Sequence, residues 1–251
     1  NNFETIDSCR ACKSRNITEV LDLGDQPPAN SLYKNNKDRP SSVPLRLLFC
    51  GDCSTVQLGE TVDPKYLFQE YLWVTGTSST AMIYSHQFTE NALSRSGRSQ
   101  PSVIEIASND GTFLKQFQNS GCKVLGVDPA KNISEIASKN GIPTHVDFFT
   151  RDLAKKLLSK HQSAEIVYAR NVIPHVKEVH SVIDGIKTIL DVDGVGIIEF
   201  HNAKLLLEQL HYDYIYHEHL FYYTLTSIDY LLKKHGLFIF DTMESPISGG
   251  S

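Results

Sequence analysis

The chain is short of several things, and each shortage excludes a class of protein. Among its 251 residues no apolar run approaches the length needed to cross a bilayer, about 18 to 20 residues. Basic residues do not outnumber acidic ones: 24 Lys and Arg stand against 29 Asp and Glu. The net charge of −5 gives no long-range attraction to nucleic acid or to an anionic membrane. Internal repeats and low-complexity tracts are absent. At 41% hydrophobic and 21% charged, the composition is ordinary for a globular chain and excludes disordered and fibrous readings. The opening Asn-Asn-Phe-Glu-Thr-Ile-Asp-Ser has neither the basic nor the apolar region of a secretory signal or transit peptide, so the expected location is cytoplasmic. The length predicts one main domain with an appendage.

Against these shortages stand ten histidines and five cysteines. Four cysteines form two Cys-x-x-Cys pairs, Cys9 with Cys12 and Cys50 with Cys53; Cys122 stands alone. Two intervening residues let both thiolates of a pair face one ion. Two pairs then complete tetrahedral Zn–S4 coordination with no open position, so the expected zinc is structural. It would supply folding free energy to residues 1–65, a zinc-binding domain whose short strand-like runs, Leu45–Phe49 and Val56–Leu58, are too few for a core. Gly51 is expected to serve the tight turn of the second pair. A redox disulfide is the competing reading; the odd thiol and the missing signal weigh against it.

Residues 66–100 read as a connecting segment and a helix, on which Ala81, Tyr84, Phe88 and Ala92 recur at helical spacing. From 101 to 251 strands and amphipathic helices alternate. The predicted strands are Val103–Ala107, Lys123–Val127, Ala164–Ala169, Val195–Phe200 and Leu237–Phe240. Helical stretches at 111–120, 133–140, 152–159, 179–190 and 227–235 lie between or before them, three closed by Gly121, Gly141 and Gly236. This alternation predicts an α/β fold with a doubly wound parallel sheet.

The first of these strands runs into Glu105-Ile-Ala107-Ser108-Asn109-Asp-Gly111. No G-x-G-x-x-G fingerprint is present. The spacing is that of the E-x-G-x-G-x-G loop of class I S-adenosylmethionine (SAM) enzymes, with Ala107 and Asn109 replacing two glycines. Asn tolerates positive φ better than most residues. Asp128, followed by Pro129, ends the next strand, where an acid accepts ribose hydroxyls. Asp147 and Phe148 are expected near an adenine, and Asn171 and His175 at the end of the fourth strand. A turn or helix-capping acid is the competing reading of Asp128. The joint placement favours SAM over NAD, whose pyrophosphate needs a tighter glycine loop.

Tyr216-His217-Glu218-His219 is the densest titratable cluster, and Phe221 excludes a helical H-E-x-x-H zinc site. In an extended strand Tyr216 and Glu218 would share one face, and His217 and His219 the other. An irregular backbone would turn Glu218 and His219 toward one cavity, where a histidine near neutral pKa suits proton abstraction. The alternative is a set of polar residues entering an edge strand.

Taken in order, Cys-Arg-Ala-Cys, Leu-Asp-Leu-Gly-Asp-Gln-Pro-Pro-Ala-Asn-Ser, Cys-Gly-Asp-Cys-Ser-Thr-Val-Gln-Leu, the Glu105–Gly111 loop, Gly-Val-Asp-Pro-Ala-Lys-Asn-Ile, Asn-Val-Ile-Pro-His-Val, Tyr-His-Glu-His and the final Gly-Gly-Ser resemble one family. These are the SAM-dependent C-methyltransferases of nucleotide-linked 4-keto deoxysugars. The resemblance implies a small N-terminal zinc-binding domain, a Rossmann-like SAM domain, and a further C-terminal domain beyond the Gly-Gly-Ser that helps hold the sugar nucleotide. It implies His219 as base with Glu218 beside it, and Tyr216 and Tyr71 lining the sugar pocket. The base would remove the C3 proton acidified by the 4-keto group, and the enolate would take the SAM methyl. Two positions depart from the family pattern: Ser248 where His is usual, and Trp73 where Tyr is frequent. An O- or N-methyltransferase and a noncatalytic SAM- or zinc-binding module are the alternatives.

Overall fold

The computed structural model describes residues 3–32, 35, 40–64, 67, 74–247 and 250–251. The N-terminal part is built from β1 (Phe3–Thr5), β2 (Ile17–Gln26), β3 (Val43–Cys50), β4 (Val56–Leu58) and β5 (Glu60–Val62). β1 and β5 pair antiparallel as a two-stranded sheet. α1 (Ser79–Ser96) follows, capped by the Ser78 hydroxyl, and buries the Ala81, Tyr84, Phe88 and Ala92 stripe.

The α/β part then alternates as its periodicity predicts: β6 (Ser102–Ile106), α2 (Thr112–Asn119), β7 (Lys123–Val127), α3 (Lys131–Lys139), β8 (Thr144–His145), α4 (Arg151–His161), β9 (Ala164–Arg170), α5 (Val179–Ile189) and β10 (Leu190–Glu199). All pairings are parallel, in the order β10-β9-β6-β7-β8. The chain runs outward from β6 through β7 to β8, then returns to the other side of β6 as β9. The switch point, where such sheets bind ligands, therefore lies at the carboxyl ends of β6 and β9. Both faces are buried. Tyr84, Phe88, Phe113, Phe117, Ile166 and Tyr168 fill one side, and Ile104, Ile106, Val167, Ile183 and Leu231 belong to the core of the other.

After β10 come α6 (Ala203–Glu208), β11 (Phe221–Tyr222) and α7 (Leu225–Lys234). β11 leaves the parallel sheet and pairs antiparallel with β4, completing a second sheet in the order β11-β4-β3-β2. Residues near 221 thus become an edge of the cysteine-bearing sheet. The expected strand at Leu237–Phe240 does not form. Leu237 and Ile239 do pack on the core while Phe238 and Phe240 face solvent. The alternation is real, but no neighbouring strand among the described residues offers it a ladder. Among the described residues no helix is long and apolar enough to cross a membrane.

Candidate active site and metal centre

The four paired cysteines converge. Cys9 Sγ lies 3.6 Å from Cys53 Sγ and Cys12 Sγ 3.5 Å from Cys50 Sγ, with all four sulfurs within 4.8 Å of one another. A regular tetrahedron of Zn–S bonds near 2.3 Å has edges of about 3.8 Å, so the donor set fits zinc in geometry and chemistry. All four are free thiols, which sets the disulfide reading aside. The two turns match each other. Lys13 N–H donates to Cys9 O and Ser54 N–H to Cys50 O, both at 2.9 Å, and Lys13 and Ser54 carry the positive φ. Gly51 does not. A Cβ there would sit 2.6 Å from Asn16 Nδ2 and displace that exposed side chain from Asp52. A hydrogen bond from the Cys53 thiol holds Cys9 well below the usual thiol pKa, and the same bond with burial pushes Cys53 up. Buried Arg10, inside the first turn, donates to Gln57, to the Leu58 and Glu60 carbonyls and to Thr61, fastening that turn to β4 and β5.

A cleft of about 930 Å³ opens at the switch point of the parallel sheet. Of the residues expected to hold a cofactor, Ala107, Asn109, Asp128, Pro129, Phe148, Asn171 and His175 line it. Ala107, Asn109 and Gly111 all take positive φ, at 54°, 49° and 79°. The loop keeps the backbone of a three-glycine turn with only one glycine. Gly111 itself caps α2 below the cleft. Ser108 is buried, its Oγ close under Gly126. Glu105 also lies beneath, not in, the cleft, accepting from Tyr168 Oη at 2.9 Å; burial pushes its pKa to about 8. Asp147 is exposed outside the cleft lining, where its carboxylate caps the Phe148 N–H. The reason is local: the chain after β8 turns out toward solvent before α4.

Asp128 does what the competing reading expects of a turn acid. Its two oxygens accept the Asn109 and Ala130 N–H groups at 2.8 Å each, tying the β6 loop to the end of β7. Burial raises its pKa, opposed by those two bonds. Asp128 lines the cleft, and an ionised carboxylate can accept further hydrogen bonds there.

The Tyr216–His219 segment is neither strand nor helix. His219 N–H donates to Tyr216 O at 3.1 Å, closing a tight turn that puts residues three apart on one side. Tyr216 and His219 therefore face the cleft together, while Glu218 points away and receives Asn30 Nδ2 at 2.6 Å. The expected Glu218–His219 pairing in one cavity is corrected to Tyr216–His219. His217 is turned to the Val43 carbonyl at 3.1 Å. Tyr71 and Trp73 lie outside the described residues.

His219 Nδ1 sits 3.0 Å from Tyr214 O, and its Nε2 3.2 Å from Tyr216 Oη. A carbonyl only accepts, so Nδ1 carries the hydrogen. Burial, then the neighbouring His175, drive the His219 pKa well below 6.5, so the ring is neutral and Nε2 is a lone pair. Burial likewise lowers His175 to about 4.

Comparison with known proteins now adds identity. A family model described as "Methyltransferase domain" matches residues 84–240. The chain belongs to that methyltransferase-domain family. A second model, "Putative zinc binding domain", matches residues 9–68, the span of the cysteine cluster. The chain is 30% identical over 249 residues to the C-methyltransferase NovU of Streptomyces niveus, covering 98% of this chain and 59% of that protein. It thus spans about three fifths of that relative's length. The chain is also 22% identical over 118 residues to a ubiquinone biosynthesis O-methyltransferase of Rhodopseudomonas palustris, 47% of each chain. Among solved structures, the plantazolicin methyltransferase BpumL in complex with a pentazolic desmethylPZN analog and SAH (S-adenosylhomocysteine) superposes with TM-score 0.52 at 14% identity, covering 62% of this chain and 64% of that one. The fold is therefore the Rossmann-like one of SAM methyltransferases.

Sequence patterns did not signal several cleft residues of this methyltransferase domain. The His201 and Tyr214 rings lie 4.3 Å apart, tilted by 48°, and the His201 ring lies 5.5 Å from that of His219. Arg170 ends β9. The available signal was position alone: His201 and Arg170 sit at carboxyl ends of predicted strands, where this fold class binds ligands.

Proposed function

We propose that the chain carries the catalytic part of a SAM-dependent C-methyltransferase acting on a nucleotide-linked 4-keto deoxysugar. The observation that carries this reading is the Tyr214 O–His219–Tyr216 array, with a neutral imidazole lone pair directed at a tyrosine hydroxyl inside the cleft. The 30% identity to a C-methyltransferase supports it. Cofactor-facing roles fall to Ala107, Asn109, Asp128, Pro129, Phe148 and Asn171, with zinc held structurally by the four cysteines.

Bound SAM supplies a methyl group already activated by its sulfonium. The protein's task is to make a carbon nucleophile. A ketone beside C3 acidifies that C–H; Tyr216 Oη takes the proton as its own passes to His219 Nε2, and the bonding pair is left as an enolate. The Tyr214 carbonyl stabilises the imidazolium that forms, through the Nδ1–H bond. Burial of His219 makes it a weak base but keeps it unprotonated, so every molecule is ready to accept. Glu218, tied to Asn30, positions the turn rather than touching substrate.

The test is exchange of the C3 proton of a TDP-4-keto-6-deoxysugar in D2O without SAM, followed by mass gain of one methyl with SAM. His219→Ala is expected to abolish both while SAM still binds. Retained turnover overturns the base assignment. Methylation of oxygen without any C3 exchange would favour the O-methyl chemistry named for the Rhodopseudomonas palustris relative.

A further inference from the structure

Arg170 stands out among the buried charges. It lines the cleft at the end of β9, with its side chain 10% exposed. Its Cζ lies 3.1 Å from the centre of the Phe113 ring, which fixes the guanidinium plane against one wall. The nearest acid is Glu105, whose Oε1 is 3.5 Å from Nε. Nε is buried and makes no hydrogen bond among the described residues. Glu105 is itself fully buried and its other oxygen accepts from Tyr168; burial raises its pKa while Arg170 opposes that rise. A guanidinium offers five donors in a planar fork suited to a carboxylate. A buried Nε–H with only a long contact to Glu105 is costly unless a ligand meets the guanidinium.

Position narrows the ligand. Asp128 ends β7 and Arg170 ends β9, with β6 between them. Two strand spacings of about 4.8 Å separate acid from cation by roughly 10 Å along the cleft mouth. A nucleoside whose ribose hydroxyls meet Asp128 and whose 5′ substituent runs across β6 would bring the end of that substituent to Arg170. Between them lies the positive-φ loop, whose Ala107 and Asn109 line the cleft.

We infer that Arg170 is the receptor for the α-carboxylate of the cofactor's aminoacyl tail, and so the group that separates a full cofactor from its truncated nucleoside. This rests on the SAM reading above. It deepens that reading by assigning the far end of the cofactor to a residue that no sequence motif marks.

The test uses two probes that differ in that tail: SAH, and 5′-methylthioadenosine, which keeps the nucleoside and lacks the amino acid. Titration calorimetry on the unaltered chain is expected to give tighter binding of SAH. Arg170→Met is expected to weaken SAH by about ten- to a hundredfold and to leave methylthioadenosine within about twofold, the loss of a charge-assisted contact alone. Arg170→Lys is expected to recover part of the SAH affinity. If R170M keeps the full preference for SAH, or loses both probes equally, the inference is overturned. If R170M does not fold, SAH is compared with its carboxyl methyl ester on the unaltered chain, and equal affinities overturn it. If the unaltered chain binds neither probe, the SAM reading itself fails, a result distinct from the others.

Discussion

The cofactor loop offers a test whose size follows from two geometric features. Gly111 holds φ at 79° and caps α2, and a Cβ built there would meet Ile142 Cγ1 at 2.9 Å, Cβ at 3.0 Å and Cγ2 at 3.1 Å. Ile142 is 1% exposed and branched at Cβ, so it cannot swing clear. Gly111→Ala therefore adds a left-handed backbone cost of about 1–2 kcal/mol to overpacking of about 1–3 kcal/mol. The sum of about 2–5 kcal/mol lowers Tm by roughly 4–20 °C for a chain of this size. Ala107→Gly works in the opposite sense. It relieves about 1–2 kcal/mol of positive-φ strain against about 0.4–1 kcal/mol of added unfolded-chain entropy, for a net gain of about 0–1.5 kcal/mol. Urea unfolding of both variants measures the two terms, and calorimetry with SAH reports whether the loop still binds. A G111A protein within about 0.5 kcal/mol of the unaltered chain would refute the close contact with Ile142 and the loop geometry built on it.

The remaining predictions concern acid, metal and protons. Asp128→Ala removes the acceptor of two buried N–H groups and should weaken SAM binding by about tenfold or more; unchanged affinity in calorimetry would misplace the crevice. Because His219 stays neutral until well below pH 6.5, kcat/KM should be flat between pH 6.5 and 8, with its acid limb below that range; an acid limb centred at or above 6.5 would exclude a buried neutral base. His175 and His219 bind protons more readily unfolded, so stability should fall as pH drops from 6.5 toward about 4, measured by urea midpoints. Metal analysis should find one zinc per chain, and chelation under reducing conditions should deprotect β3, β4 and, with them, Phe221 and Tyr222 in hydrogen exchange; undisturbed exchange at 221–222 would break the link between metal and β11.

How far these features were legible depends on how local their causes are. The strands from Val103 to Glu199 are short apolar runs between capped helices, and the structure holds them within a residue or two, except that β10 begins at Leu190. The positive φ at Asn109 follows from residue chemistry; that Ala107 shares it follows only from the spacing of the loop. Cys-x-x-Cys pairs announce a metal because two sulfurs must reach one ion. The Tyr216–His219 turn was hidden, since polar residues in a row fit either an extended strand or a turn. Its true partners, Asn30 and Val43, lie 188 and 174 residues away. The β4–β11 ladder is equally remote in sequence. Leu237–Phe240 misled because alternation reports which side chains are buried, not whether a neighbouring strand exists.

The pairing of Phe221 and Tyr222 with β4 bears on how such chains recombine. A crossover that exchanged only the leading segment between two homologues would splice one parent's β4 against the other parent's β11. The mismatch would fall two residues from the His219 imidazole. Shuffling is therefore expected to tolerate joints elsewhere but to demand that positions 56–58 and 221–222 be inherited as a set.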